Sequence, residues 1–143
     1  MNVMVEPGHF VEVDAGVLQR AVVRTVEAEQ RDLVEVSLTL LDDAEIQELN
    51  HTYLGHDRPT DVIAFALGDL SDLVGDIYLG VEQARRQAAE HGVPLPEELA
   101  RLAIHGTLHL LGHDHPEGEE RYRSPMFERQ ERILREVLDC AAR

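Results

Sequence analysis

Four of the chain's eight histidines fall in one otherwise apolar run, AIHGTLHLLGHDH at residues 103–115. His105 and His109 are four apart. On a helix that spacing puts them about 40° apart around the axis and about 6 Å along it, close enough to grip one metal ion. A third ligand must come from His115 or His113. On an unbroken helix His115 would lie about 15 Å beyond His105. The chain must therefore bend, and Gly112 is where a helix can end in a left-handed turn. A rival pair, His109 with His113, requires the helix to run on through Gly112. Three neutral imidazoles suit zinc at about 2.0–2.1 Å and leave a fourth position for water. Zinc lowers the pKa of such a water to about 7 and can polarise a phosphoryl oxygen. Asp114 could orient a histidine or the water, or simply cap a turn. The blander alternatives are a set of hydrogen-bonded core histidines and a structural zinc closed by a fourth protein ligand.

Those side chains need a scaffold, and hydrophobic periodicity outlines it. Residues 15–30 carry Val17, Leu18, Ala21, Val22, Thr25 and Val26 at helical spacing behind Asp14, a good N-cap. LVEVSLTLL at 33–41 alternates as a half-buried strand does. Asp42 with Glu45 resembles a capping box opening a helix to about Tyr53. A turn-rich GHDRPT loop leads to a DVIAF strand, and VGDIYLG at 74–80 is a second short strand before an amphipathic helix ending near His91–Gly92. The helix from about Glu97 to Leu111 is apolar almost all round, which predicts a central position for the histidine-bearing element. Ser124-Pro125 should start a last helix running to about Leu138. Strands and helices mix without strict alternation. The expected class is α+β, a small mixed sheet packed against helices, with a buried central helix carrying the metal-binding histidines.

A length of 143 residues fits one domain spanning 1–143. Aromatic content of 4% with no Trp means the core is built from Leu, Val, Ile and Ala. No apolar run approaches a membrane span, the N-terminus has no signal-peptide pattern, and the single Cys140 excludes an internal disulfide. These features predict a reduced, cytoplasmic protein with no membrane partner. The net charge of −15 argues against broad electrostatic binding of nucleic acid, DNA included, although a small cationic cleft can survive on an acidic body.

The spacing H-x-x-x-H-x-x-G-x-x-H is similar to that of metzincin zinc proteases. Those carry a general-base Glu directly after the first histidine, where this chain has Gly106. The spacing suits zinc; the missing carboxylate argues against peptide hydrolysis.

A closer resemblance is to the YbeY family of bacterial endoribonucleases, the rRNA maturation factors. Its hallmark H-G-x-L-H-L-x-G-x-D-H is matched at every fixed position by residues 105–115. Leu49-Asn50, Tyr53, Gly55, Asp57, Thr60-Asp61-Val62 and Phe65 resemble a second family segment. Gly75-Asp76-Ile77 resembles a third, and Met126 with Glu128 lies in a similar C-terminal helix. The resemblance covers about residues 30 to 138.

It implies one zinc ion held by His105, His109 and His115, in a single-strand-specific endoribonuclease. Such an enzyme would mature the 3′ end of small-subunit (16S) rRNA and act in ribosome quality control, with the small ribosomal subunit as partner. Leu54 stands where the family commonly has an arginine for the RNA phosphate. Arg58, in the same loop, is the candidate to supply that charge, and with Asp114 it completes the catalytic candidates. The alternatives are a zinc-stabilised ribosome-associated binding protein without nuclease activity, and another metal-dependent hydrolase.

Overall fold

Asp14 accepts hydrogen bonds from the backbone N–H groups of Gly16 and Val17, at 2.9 and 3.4 Å, and so caps helix α1 (Ala15–Ala28). The helix buries the expected stripe of Leu18, Ala21, Val22, Thr25 and Val26. It ends two residues before position 30 because the chain turns left-handed at Gln30, φ 54°. The computed structural model describes residues 2–31, 35–67, 74–116 and 118–141. Leu33 and Val34, expected to begin a strand, lie outside the described residues.

Among the described residues, four strands form one mixed sheet. They are β1 (Asn2–Glu6), β2 (Glu35–Leu41), β3 (Val62–Leu67) and β4 (Val74–Gly80), in the order β1-β2-β4-β3. The first three in that order run parallel, and β3 runs antiparallel to β4 at the sheet edge. Register pairs Val36 with Gly75, Leu38 with Ile77 and Leu40 with Leu79, so alternation places these buried residues on one face. β1 escapes the periodicity reading. It is only five residues long, Val3 is its single buried hydrophobic residue, and Met4 is left exposed.

Helix α2 (Asp43–Leu54) opens with the expected box: Asp42 accepts from the Glu45 N–H at 2.8 Å, and Glu45 accepts from the Asp42 N–H at 3.1 Å. Helix α3 (Val81–His91) stops at Gly92. Helix α4 (Leu95–Leu110) begins earlier than expected because Pro96 sits in its first turn, where an absent N–H costs nothing. It packs against α1, α3, β3, β4 and helix α5 (Pro125–Ala141), with Leu99, Ile104 and Leu108 almost wholly removed from solvent. The histidine-bearing helix is thus the centre of the α+β fold. No helix among the described residues is long and apolar enough to cross a membrane.

Candidate metal centre and adjoining cavity

His105 and His109 project from the last turns of α4 with their Nε2 atoms 3.0 Å apart. The helix then closes as the glycine pattern requires. Gly112 takes φ 96°, its N–H donates to the His109 carbonyl, and the His113 N–H reaches back to the Leu108 carbonyl, both at 3.0 Å. This turn brings the His115 ring to 5.0 Å from that of His105 and 5.1 Å from that of His109, between centroids. One ring nitrogen from each of the three lies within 4.8 Å of the others.

Hydrogen bonds on the far side of each ring prepare this set for a cation. Nδ1–H of His105 donates to Gln130 Oε1 at 2.6 Å, that of His109 to the His113 carbonyl at 3.0 Å, and that of His115 to the Pro116 carbonyl at 2.9 Å. With each proton fixed on Nδ1, the Nε2 lone pairs are left free. Gln130 is itself oriented, since its Nε2 donates to Glu131 Oε2 at 3.1 Å. Burial, reinforced by His109, His115 and Arg121, pushes the His105 pKa down to about 4 against the opposing bond to Gln130. Burial and His115 lower that of His109 as well. Neutral imidazole is the ligating form, so protons compete weakly for the site near neutral pH. The donor set could hold one divalent metal ion.

A stability consequence follows for the metal-free protein. Unfolded, His105 takes up a proton near its ordinary pKa of 6.5; folded, it resists until about 4. The unfolded form therefore binds more protons across that window, and stability falls as pH drops through it. Urea midpoints should decline between pH 6.5 and about 4, and His105→Asn should flatten that decline. An equally steep decline in the variant would exclude His105 as its cause.

His113 does not join the triad. Its ring contacts Glu29, whose other carboxylate oxygen accepts from Arg129 at 2.7 Å. Burial alone would push Glu29 up, but Arg129 and His113 outweigh it and hold the carboxyl below its ordinary value. The rival His109–His113 pair fails because Gly112 turns the chain before that pairing can form. Asp114 is exposed, and its Oδ1 accepts from the His115 N–H at 2.8 Å, so it shapes the ligand loop. Arg58 is also exposed, in a loop pinned by Asn50 Nδ2 to its carbonyl at 2.9 Å. Gly106 packs α4 onto the sheet: a Cβ there would lie 3.0 Å from Ile77 Cγ2 and 3.2 Å from Val62 Cγ2. A protease-type glutamate at this position would press on both side chains.

A cavity of about 380 Å³ opens beside the triad, walled by His105, His115, Arg121, Tyr122, Phe127 and Gln130 among others. That volume falls within the range of small-ligand sites, about 300–1,000 Å³. Arg58 is not among the wall residues, whereas Arg121 and Asp61 are. Asp61 accepts from the Val62 N–H at 2.7 Å and from Gln87 Nε2 at 3.3 Å.

Periodicity did not single out Gln130 or Arg121. For Gln130 a signal exists: it is the polar member of the buried α5 face formed by Met126, Ile133, Leu134 and Val137. Gln130→Leu should lower metal affinity about 10- to 100-fold, the usual cost of losing the bond behind a ligating histidine. Competition titration with a chromophoric chelator would measure it; unchanged affinity would deny Gln130 that role.

The family model described as Endoribonuclease YbeY matches residues 9–138. Among curated relatives of that name, one from Desulfitobacterium hafniense is 43% identical over 134 residues, covering 85% of this chain and 84% of its own. One from Moorella thermoacetica is 50% identical over 112 residues, 70% of each chain. The solution structure of TM1509 from Thermotoga maritima is similar with a TM-score of 0.66 and 32% identity, over 97% of this chain and 90% of that one.

Proposed function

This chain belongs to the Endoribonuclease YbeY family, and from that membership we propose that it is a zinc-dependent, single-strand-specific endoribonuclease maturing the 3′ end of small-subunit rRNA. The observation that carries the metal-dependent part is the triad itself: three imidazoles with one ring nitrogen each within 4.8 Å of the others, and an acceptor for each Nδ1 proton. His105, His109 and His115 are the assigned ligands, within one domain of the cytoplasm that works on the ribosomal small subunit in rRNA processing and quality control.

Zinc bound there would act as a Lewis acid towards a phosphoryl oxygen and would make water a better nucleophile at neutral pH. The chain's own residues perform the positioning. Gln130, with Glu131 behind it, holds the His105 ring in one orientation and one tautomer. The Gly112 turn and the bond from Asp114 to the His115 backbone return the third ring to the helix end. Leaving Gly106 without a side chain keeps the helix seated on β3 and β4, so the two helical histidines are held by a rigid element.

Zinc-loaded protein should cleave a single-stranded RNA and spare the same sequence in a duplex. Chelation should stop cleavage, and added zinc should restore it. Cleavage that persists in a metal-free preparation would overturn the metal role. The net charge of −15 and Leu54 favour the second reading, a ribosome-bound module whose zinc only supports the fold. Zinc-loaded protein that binds small subunits but never cuts RNA would establish that reading instead.

A further inference from the structure

Several arginines of this acidic chain are tied to carboxylates. Arg24 is tied to Glu136, Arg86 to Asp43 and Arg129 to Glu29. Arg101, in the cavity wall, is tied to Glu97, Glu98 and Glu131. Arg121 shares that wall, yet its guanidinium has no carboxylate partner among the described residues. It rests instead over the Tyr122 ring, 5.2 Å from the centroid. Tyr122 is 48% exposed and stands edge-on to Phe127 at 5.4 Å, and both rings line the same cavity. Arg121 and His105 line the same cavity. Beside the candidate metal site there are therefore a planar cation with no carboxylate partner among the described residues, a partly exposed aromatic ring and a cavity of about 380 Å³.

Those features complement one kind of occupant. A guanidinium fork matches a phosphate, giving two parallel hydrogen bonds and a permanent charge. An exposed tyrosine ring offers a base a stacking surface, the sequence-tolerant way in which single strands are held. A duplex keeps its bases stacked on each other and cannot offer one to a side pocket.

We propose that the cavity between His105 and the segment Arg121–Phe127 is a nucleotide subsite for single-stranded RNA. In it Arg121 holds a backbone phosphate next to the metal centre, and Tyr122, backed by Phe127, stacks the attached base. The subsite deepens the endoribonuclease reading and rests on it for its ligand. It also relocates the phosphate-binding charge: the arginine absent at Leu54 is replaced from the opposite end of the chain, from the segment following the histidine motif, and not by Arg58.

The test is fluorescence anisotropy of zinc-loaded protein with a labelled single-stranded oligouridylate, at two or more salt concentrations, with cleavage of an unlabelled strand followed in parallel. Arg121→Ala should weaken binding about tenfold or more, as expected for a lost charged hydrogen bond, and reduce the slope of log K on log salt by roughly 0.7, one phosphate's share. Arg20→Ala removes the same charge from an exposed position of α1 and should change neither. Arg121→Lys should recover part of the affinity. Tyr122→Ala should weaken binding about fivefold or more, while Tyr122→Phe keeps the stacking face and stays near wild type. Zinc content should be unchanged throughout.

If wild type cleaves RNA and Arg121→Ala and Tyr122→Ala match it in affinity and salt slope, the subsite is wrong and the nuclease reading stands. If wild type binds with the Arg121 dependence described but never cleaves, the subsite stands and the nuclease reading falls. If wild type neither binds nor cleaves, both fall.

Discussion

His109→Ala should give a folded protein that retains no stoichiometric zinc and cleaves no single-stranded RNA. His109 lies beside both other members of the triad. Its Nε2 meets that of His105 at 3.0 Å, and its ring lies 5.1 Å from that of His115. Its removal leaves two imidazoles on different elements. The loss of affinity should exceed the roughly 100-fold upper cost of losing a supporting bond behind a ligand. The fold should tolerate the change. His109 is half-buried at the helix end, and the group left unpaired is the His113 carbonyl, a cost of about 1–3 kcal/mol against a typical total of about 5–15. Metal analysis, circular dichroism and RNA cleavage on wild type and variant prepared side by side would check each part. Full zinc content in the variant would mean the ligands are misassigned. Equal cleavage by both proteins would trace the activity to a contaminant.

Arg101→Leu should cost about 3–5 kcal/mol, the largest loss of stability expected from a single change in the cavity wall. The guanidinium binds Glu98 at 2.6 Å and Glu131 at 2.9 and 3.1 Å, and reaches Glu97 at 3.3 Å. The side chain of Glu98 is only 2% exposed. Without the arginine, Glu98 must remain as an unpaired buried charge or take up a proton, and either choice is expensive. The Glu131 and Glu98 carboxylates in turn hold the guanidinium firmly protonated, raising its pKa despite burial. Removing both partners should be gentler than removing one, so Glu98→Leu combined with Arg101→Leu should recover much of the loss. Urea unfolding of the two single variants and the double variant would measure this coupling; strictly additive losses would deny it. The effect should also reach the metal centre. Glu131, which Arg101 holds, orients Gln130, and Gln130 orients His105. Arg101→Leu should therefore also weaken zinc binding.

Much of the fold was legible because its signals are local. The caps at Asp14 and Asp42, the Ser124-Pro125 start of α5 and the all-round apolar character of α4 act within a turn or two of chain. Gly112 is the same kind of signal. A left-handed residue after the last helical turn can be read from its neighbours, and it selected His115 over His113 in the folded chain.

What the sequence by itself determined was therefore the α+β class, the helix that bears the site, the imidazoles that could meet and the family motif around them. The tertiary structure alone decided who stands behind and beside them. Gln130 reaches His105 from 25 residues away, Glu29 takes His113 from 84 away, and Arg121, not Arg58, enters the cavity wall. It also showed that a side chain at Gly106 would crowd Ile77 and Val62 of neighbouring strands. Helix periodicity and capping arise from bonds spanning three or four residues, so they are written in short stretches of sequence. Which side chain supports a ligand depends on which surfaces pack together, and that is settled only when the whole core forms.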